Sequence, residues 1–510
     1  MRQVQVVSGG GALAPLQAVG RPRLKILMVD LNNFSTFPTL AIGLLIASLR
    51  NVGHEVQLIS PLAHDVPAAE RERAEGYLDH LARKVHHTTW PPVRAARDLA
   101  RLARRTAVEQ PHPVVIAETT RALRERPDAI LLSAYLQHYR TVEAIGKQAA
   151  ALGVPLLLGG PMFSEAATTE AWRTIPGLSA IVGGEVDLAL PSIVETLCSG
   201  GDLLQYRGVT LPDGHRSEPA PPLRELDSSP VPDFTDFPWD RYRVHIIPMM
   251  ASRGCQWSKC SFCSDIVSVS GRTFRTRSVE SVLHEMREQA RRHQTKNFLF
   301  LDLKLNSNPA LMRGIVERVQ EHVRGAQWIG TVHVDQRKDN GLSFPELKAA
   351  VNAGMRRVSF GMETGSQPLL DRMVKGATVE GNSAFIRNAH QAGLSVRATM
   401  FRGYPGETVD DLEATTRFLE DHVEQIDRLR FNDFSIPQGT PIFFETTAAE
   451  TPHPIIDVRR LDARRARAVY VSRDTKSRAY RQAKARLLRA VYAINRRPIR
   501  SSARAFDGLM

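Results

Sequence analysis

Short apolar stretches, each followed by a segment with helical spacing, recur along most of the chain. Because two parallel strands must be joined by a crossover, usually a helix, this alternation predicts parallel sheets covered by helices. The stretch from Pro219 to Asp240 is rich in proline and lacks periodicity, which is typical of a linker between domains. At 510 residues the chain is long enough for several domains, each with its own core.

The strands before and after this linker predict two different α/β domains. Before it, strands such as KILMVDLNN (25–33) and PLLLGGP (155–161) flank a long helical section rich in arginine and alanine. After it, six strands recur with helices between them, which favours a partial barrel over a closed one of eight strands. The predicted organisation is an N-terminal domain at 22–200 with a helical insertion at about 62–125, a linker at 201–244, a partial (β/α)6 barrel at 245–440 and a basic, helical C-terminal region at 441–510.

The net charge of +13 belongs to the end of the chain. From Thr451 to Met510 there are sixteen lysines and arginines against four aspartates, a surplus of twelve, so the rest is almost neutral. Tyr480, Leu487 and Ile494 lie at helical spacing among arginines, which predicts an amphipathic helix packed on its own protein. Nucleic-acid binding by the body of the protein is not expected. For this helix alone, binding to an acidic peptide, to nucleic acid or to a membrane surface remains an open alternative.

The chain carries no recognisable targeting or membrane segment. No apolar run approaches the ~20 residues of a transmembrane helix. Residues 1–20 lack the order of basic, apolar and cleavage regions that marks a signal peptide. We therefore expect a cytoplasmic protein, in which a reducing environment keeps cysteines free to bind metal.

Three of the four cysteines lie in one loop, SRGCQWSKCSFC (252–263), with the spacing C-x4-C-x2-C. Thiolates are soft ligands that suit zinc or iron–sulfur clusters. Structural zinc takes four protein ligands, but Cys198 falls in the other predicted domain and no paired histidine motif follows. Cys255, Cys260 and Cys263 therefore favour a cubane cluster with one open iron. A zinc knuckle completed by a distant histidine is the alternative.

The cysteine loop resembles the cluster-binding loop of the radical S-adenosylmethionine (SAM) superfamily. Two later segments, GMRRVSFGMETGSQPLLDRMVKG (354–376) and GLSVRATMFRGYPGETVDDL (393–412), are similar to the fourth- and fifth-strand regions of that superfamily. The resemblance covers about 248–437. The cysteine spacing departs from the superfamily's commonest pattern, C-x3-C-x2-C, by one residue, but all three thiolates are kept.

The resemblance implies that Cys255, Cys260 and Cys263 bind three irons of a [4Fe–4S] cluster and that SAM chelates the fourth. One electron would then break a carbon–sulfur bond of SAM, and the resulting 5′-deoxyadenosyl radical would abstract a hydrogen atom. The SAM contacts implied by position are Asp302 at the end of the second barrel strand, Glu363 in GMETG, Arg397 in the fifth strand and Gly403 in a tight turn. For Asp302 a turn cap is the alternative, and for Arg397 a structural salt bridge, since a buried guanidinium needs an anion.

The N-terminal half resembles the cobalamin-binding domain that precedes the barrel in one subclass of radical SAM proteins. ILMVDLNN, IGLLIASLRNVGHEV, PDAILLSA and LLLGGPMF carry this resemblance, which covers about 25–62 and 128–197. It implies a doubly wound, Rossmann-like sheet that binds its ligand at the carboxyl ends of the strands. The implied cobalamin contacts are the glycines that close two strands, where backbone can approach a large ligand: Gly159, Gly160, Gly183 and Gly184.

Two departures from that domain bear on how cobalt would be held. No D-x-H-x-x-G motif is present, so no protein histidine is expected below the metal, and His54 is interpreted as a surface residue. Met162 replaces the histidine of the usual GGPH sequence, so the contact expected at this position is left open. A Rossmann-like domain that has lost its ligand is the alternative interpretation.

Together the two resemblances imply a cobalamin-dependent radical SAM enzyme, foremost a methyltransferase acting on an unactivated carbon or phosphorus of a specialised metabolite or peptide. Methylthiolation is not expected, because auxiliary clusters would need cysteines and only Cys198 is left. A cyclase or rearrangement enzyme stays open, as does a non-catalytic corrinoid-binding sensor with a zinc knuckle. The implied partners are a small-molecule or peptide substrate and an electron donor such as flavodoxin or ferredoxin.

Overall fold

A computed structural model of the chain describes residues 23–34, 36–68, 72–88, 90–266, 273–447, 455–472 and 477–509. The described residues form two six-stranded sheets, a three-stranded sheet and a two-stranded hairpin. Helices cover both large sheets, which confirms the predicted α/β class.

The N-terminal sheet is doubly wound. Its strands are β1 (Lys25–Asp30), β2 (Glu55–Ile59), β3 (Ala129–Ser133), β4 (Leu156–Gly159), β5 (Leu178–Val182) and β6 (Val209–Thr210), in the order β2-β1-β3-β4-β5-β6. The helices are α1 (Leu40–Asn51), α2 (Tyr77–His86), α3 (Pro91–Glu109), α4 (Pro113–Arg124), α5 (Tyr139–Leu152), α6 (Ala166–Trp172) and α7 (Leu190–Cys198). Neighbouring strands are parallel except β5 and β6, and the order reverses between β1 and β3, where such sheets bind ligands.

Two features of this domain follow directly from the sequence. Its central strands are almost continuously apolar and buried, as expected for parallel strands with helices on both faces. The section at 62–125 forms α2, α3 and α4 without a strand among its described residues. The range predicted as linker, 201–244, contributes β6 to the sheet, so the domain extends further than its predicted end.

The second large sheet is the partial barrel. Its region contains β7 (Ile247–Met249), a hairpin of β8 (Ser252–Arg253) and β9 (Arg275–Thr276), then β10 (Asn297–Phe300), β11 (Gln327–Val332), β12 (Met355–Glu363), β13 (Ser395–Arg402) and β14 (Arg428–Asp433). The covering helices are α8 (Val279–His293), α9 (Pro309–His322), α10 (Phe344–Asn352), α11 (Gln367–Arg372), α12 (Val379–Ala392) and α13 (Val409–Asp421). The order β14-β13-β12-β11-β10-β7 is parallel throughout and open at both edges, as predicted for six strands.

The C-terminal region is more than the predicted helical segment. β15 (Ile436–Pro437), β16 (Ile456–Asp462) and β17 (Arg467–Ser472) form an antiparallel sheet, and α14 (Pro441–Thr447) and α15 (Arg478–Asn495) accompany it. The predicted apolar face of α15, including Tyr480, Leu487 and Ile494, packs on α13 and β14 of its own protein. No described helix is both long and apolar enough to cross a membrane.

The end of the chain closes the amino-terminal end of the barrel. Phe506 and Leu509 pack against Leu299 and Ile329, the inward-facing residues of β10 and β11. The guanidinium of Arg357 in β12 donates to the carbonyl oxygens of Phe506 and Leu509, each at 3.1 Å. These described residues occupy the amino-terminal end of the barrel, and sites in such barrels lie at the other end, where the strands have their carboxyl ends.

Arg397 lies near this closed end and has a protein anion. Along β13, Val396 and Ala398 face the covering helices, so Arg397 points into the barrel, where its Nε lies 3.0 Å from both carboxylate oxygens of Glu72. Arg357 lies 3.7 Å from the same carboxylate. The helical insertion thus supplies an anion to Arg397, as in the salt-bridge alternative, and a contact of Arg397 with the SAM carboxylate stays a prediction.

Glu72 is therefore expected to stabilise the barrel base. Burial lowers the pKa of Arg357 to about 10 even with Glu72 beside it, which shows how costly charge is at this position. Replacing Glu72 by Ala removes the carboxylate that both guanidiniums share, and we expect the free energy of unfolding to fall by about 3 kcal/mol or more in denaturant titrations. Asp98→Ala, which removes an exposed carboxylate that pairs with Arg94, Arg97 and Arg101, is the control and should cost below about 1 kcal/mol. Equal losses would contradict this assignment.

Candidate active site

The three clustered cysteines lie at the open end of the barrel. Their loop follows β7 and β8, at the carboxyl end of the strands and opposite the closed base. Cys255 and Cys260 are buried and Cys263 is half-buried. The Ser258 N–H donates to Cys255 Sγ at 3.5 Å. Sites in barrels of this kind collect at this end, and the structure places the cysteines there as predicted.

Ser261, between the second and third cysteines, ties the loop to the rest of the barrel. Its N–H and hydroxyl both donate to Met373 O, at 3.0 and 3.2 Å. The hydroxyl also lies 2.8 Å from Tyr404 Oη, and the Ile442 N–H donates to Ser261 O at 3.0 Å. Segments after α11, after β13 and in α14 therefore hold the loop in place. A loop held in this way gives its three thiols a fixed geometry, which a set of metal ligands needs.

Two lysines approach the buried thiols. Burial raises the pKa of Cys263 to about 12, with Asp265 acting in the same direction. Burial also raises the pKa of Cys260, whereas the positive charges of Lys375 and Lys304 lower it. Because thiols bind metals as thiolates, positive side chains at this position favour the form that binds.

Lys375 and Glu363 form a buried ion pair beside the loop. Lys375 Nζ lies 2.6 Å from Glu363 Oε1 and 5.6 Å from the centre of the Phe262 ring. Glu363 ends β12 after a register shift and has φ of 60°, a left-handed conformation that is rare outside glycine. A Cβ at Gly361 would lie 2.2 Å from the Glu363 carboxylate. The structure therefore brings Glu363 close to Cys260 and adds Lys375, which sequence reasoning missed, while the contact of Glu363 with SAM stays a prediction.

His333 is a second residue that the sequence did not single out. It follows β11, is 3% exposed, and its Nε2 has no hydrogen-bond partner among the described residues. Burial lowers the pKa of His333, and Lys304 and Lys375 add to the effect, so the imidazole is neutral. A lone histidine after a strand has no motif around it, and only the fold shows that it points into the barrel near the lysines.

Asp302 makes the contacts of a turn cap. Its carboxylate accepts from the Ala251 N–H at 3.0 Å and from the Ser252 hydroxyl at 2.5 Å. Burial raises the pKa of Asp302 to about 6. The side chain thus fixes the segment that leads into the cysteine loop, and a contact with SAM stays a prediction.

Gly403 forms the predicted turn after β13. Its φ is 83°, in the region that favours glycine, and its N–H donates to Glu407 Oε2 at 2.8 Å. Tyr470 of β17 donates to Gly403 O. The turn is therefore held by the C-terminal sheet, and its approach to a nucleoside stays a prediction.

The four glycines predicted to contact cobalamin, Gly159, Gly160, Gly183 and Gly184, lie at the carboxyl ends of β4 and β5. A Cβ at Gly160 would lie 2.2 Å from Ala134 O, and one at Gly183 would lie 2.0 Å from Phe163 O. Close packing of the strand-end loops therefore already requires glycine at these two positions. Their contact with a ligand remains a prediction.

The carboxyl edge of this sheet packs on the cysteine loop of the barrel. Arg253, two residues before Cys255, pairs with Asp187 after β5, with its two terminal nitrogens 2.9 and 2.5 Å from the two carboxylate oxygens. Arg275 of β9 pairs with Glu185 at 2.7 Å. Two-pronged, largely buried pairs of this kind fix orientation as well as distance. The ligand edge of one domain is thereby placed beside the ligand loop of the other.

The turn between β16 and β17 makes a second bridge between the domains. The Trp172 indole N–H donates to Arg464 O at 3.3 Å, and the Arg464 guanidinium lies 4.3 Å from the centre of the Tyr139 ring. Arg465 pairs with Glu109. Tyr139 and Trp172 lie after β3 and β4, so this turn contacts the carboxyl end of the N-terminal sheet, and Glu109 adds a contact from α3 of the helical insertion.

Two histidines of the N-terminal domain contact neighbouring residues of the same domain through their ring nitrogens. His54 is buried rather than at the surface, as the sequence had suggested, and its Nε2 lies 3.3 Å from Glu195 at the amino edge of the sheet. His138, at the end of β3, accepts the Tyr135 N–H through Nδ1 at 3.2 Å. Burial lowers the pKa of His138 to about 4.

Comparison with known proteins agrees with this arrangement. Residues 249–419 match the Radical SAM superfamily. An uncharacterized methyltransferase of Pyrococcus horikoshii is 29% identical over 272 residues, 52% of this chain and 57% of the relative. Bacteriochlorophyllide d C-12(1)-methyltransferase of Chlorobaculum tepidum is 24% identical over 331 residues, 62% of this chain and 65% of the relative. The matched region thus spans less than two thirds of either relative.

Two solved structures share the fold of nearly the whole chain. The cobalamin-dependent SAM radical enzyme OxsB, with aqua-cobalamin and SAM bound, gives a TM-score of 0.66 at 16% identity, over 91% of this chain and 66% of its own. The radical SAM methyltransferase TsrM of Kitasatospora setae gives 0.64 at 16% identity, over 92% and 89%. The resemblance inferred from the motifs is confirmed: residues 249–419 form a radical SAM domain, in a chain with the fold of cobalamin-dependent radical SAM enzymes.

Proposed function

We propose that the chain is a cobalamin-dependent radical SAM methyltransferase that acts on an unactivated carbon or phosphorus of a specialised metabolite or peptide. The observation that carries the proposal is the ion pair between Asp187 and Arg253, which joins the carboxyl edge of the N-terminal sheet to the cysteine loop. A ligand bound at that edge would lie next to a cluster bound by the loop. The names of the two curated relatives support the reaction class.

The donor set of the loop fits a [4Fe–4S] cluster with one open iron. Three thiols come from one short loop, while Cys198 ends α7 and its Sγ donates to Asp128 O at 3.5 Å. Lys375 and Lys304 lie close enough to Cys260 to favour its thiolate. A bound cluster supplies the electron that cleaves SAM, and bound cobalamin carries the methyl group for transfer.

Glu363 and Lys375 are the residues that we assign to SAM. Both are buried beside the loop, and their charges are complementary to the amino and carboxylate groups of the SAM methionine moiety. Of Lys375 and Arg397, we assign the SAM carboxylate to Lys375, because Lys375 lies beside the cysteine loop whereas Arg397 lies near the closed base of the barrel. The turn at Gly403 would let backbone approach the nucleoside.

The edge formed by Gly159, Gly160, Gly183 and Gly184 is where we place cobalamin.

Apolar side chains border the open end of the barrel. The rings of Phe262 and Phe401 lie with centroids 5.0 Å apart, and Phe434 is 4.9 Å from Phe401. Their task is to exclude water while substrate and methyl donor are held within reach.

The cysteine assignment is tested by substitution. Anaerobic reconstitution of the wild type should give about four irons and four sulfides per chain, as expected for this cluster. Cys255→Ala, Cys260→Ala and Cys263→Ala should each lose the cluster, because a loop with two thiols cannot hold it. Cys198→Ala is the control and should keep full iron content. Stoichiometric zinc in place of iron would contradict the assignment.

The role of Lys375 is tested by SAM binding to the reconstituted protein. Lys375→Met removes a buried charge, and we expect SAM affinity to fall about tenfold or more, the usual effect of losing a charged hydrogen bond. Lys348→Met, on α10 outside the barrel, should bind SAM as the wild type does. Iron content is measured in parallel, so that loss of the cluster is recognised. Unchanged SAM affinity with an intact cluster would exclude Lys375 from the site.

The reaction class is tested by product analysis with corrinoid supplied. Two SAM molecules have separate tasks, so turnover should yield S-adenosylhomocysteine and 5′-deoxyadenosine in about equal amounts if coupling is tight. Labelled methyl from SAM should appear in the product. If 5′-deoxyadenosine forms without S-adenosylhomocysteine, the methyltransferase proposal fails and a cyclase or rearrangement enzyme replaces it.

A further inference from the structure

The segment between the first two cysteines forms a small surface above the site. Gln256 and Lys259 are exposed, Trp257 is half-buried, and Val374, after α11, is 44% exposed beside them. Lys338 is exposed nearby, next to Arg337, whose guanidinium donates to Gln256 at 2.7 Å. We call Gln256, Trp257, Lys259, Lys338 and Val374 the Trp257 surface.

The chain around the indole of Trp257 is shaped to hold it. Trp257 Nε1 donates to Val374 O at 2.7 Å. Val374 has φ of 52°, which is a true outlier for a β-branched residue. Gly376 has φ of 67°, and a Cβ there would lie 2.3 Å from the indole ring. Backbone strain of this kind persists where surrounding structure enforces it, often at functional sites.

The Trp257 surface is positively charged. The ammonium of Lys259 lies 5.3 Å from the centre of the Trp257 ring. Among the described residues, neither Lys259 nor Lys338 has an ion-pair partner, whereas Arg337 is paired with Asp335. Two exposed cations around an aromatic and an aliphatic side chain form the kind of patch that attracts an acidic protein and then packs against it.

We propose that the Trp257 surface is the docking site of an acidic one-electron carrier protein, of the flavodoxin or ferredoxin class. The inference rests on the proposed function, since only a bound cluster needs an electron at this place. Trp257 is two residues from Cys255 and three from Cys260 in sequence, so a carrier seated here contacts the loop that bears the thiolates. One electron passes to the cluster and the carrier is oxidised by one electron; no proton or atom is transferred.

The test compares a protein reductant with a chemical one. Lys259→Glu and the double variant Lys259→Glu/Lys338→Glu are reconstituted and supplied either with reduced flavodoxin or with dithionite. With flavodoxin, the rate of 5′-deoxyadenosine formation should fall about tenfold or more, because reversing charges at a steered interface slows encounter. With dithionite, the rate and the iron content should equal those of the wild type. The flavodoxin-dependent rate of the wild type should also fall as salt is added.

Arg489→Glu is the control variant. Arg489 is an exposed cation on α15, which packs along α13 and β14, on the other edge of the barrel from β7. Its flavodoxin-dependent rate should stay near that of the wild type. An equal loss in Arg489→Glu, or a wild-type rate in both lysine variants, would overturn the proposal.

Two further outcomes separate this inference from the proposed function. If wild-type protein forms no 5′-deoxyadenosine even with dithionite, the radical SAM activity itself fails. If the lysine variants change the oligomeric state in sedimentation while their flavodoxin-dependent rate is unchanged, the surface is a contact between copies of this chain, and the docking proposal is overturned.

Discussion

The relation between the two domains depends on the buried ion pair of Arg253 and Asp187. Both nitrogens of the guanidinium meet both oxygens of the carboxylate, so the pair fixes angle as well as distance. Because Arg253 precedes Cys255 by two residues and Asp187 follows β5 closely, this contact sets the cysteine loop against the carboxyl edge of the other sheet. Chemistry that needs two cofactors in one place needs that alignment.

The two ends of the barrel differ in which groups neutralise their buried positive side chains. At the base, Arg397 and Arg357 share Glu72, and Phe506 fills the space beside them. Among the described residues, the anion that both guanidiniums share there comes from the protein itself. At the open end, Lys375 faces Glu363 on one side and buried thiols on the other. Anionic groups added there meet positive charge that is already buried, which lowers the cost of placing them in the interior.

Much of the fold and the core of the site could be predicted because they depend on local pattern. The six barrel strands, the face of α15 and the C-x4-C-x2-C loop are all visible in residue spacing, which periodicity and covalent connection impose directly. The sheet of β16 and β17 was missed, because its strands are polar on one face and, in the part of the chain that the structure describes, pair only with each other and with β15.

The sequence by itself determined the two α/β domains, the alternation of their strands and helices, and the three thiols of one loop. Tertiary structure alone decided which charges meet. Arg397 finds Glu72 across 325 positions of sequence, and Lys375 reaches thiols that come more than a hundred positions earlier. A buried charge is satisfied by whichever opposite charge the packing brings within a few ångströms. That distance is a property of the folded chain, so a motif shows that Arg397 needs an anion, while only the fold shows which anion it has.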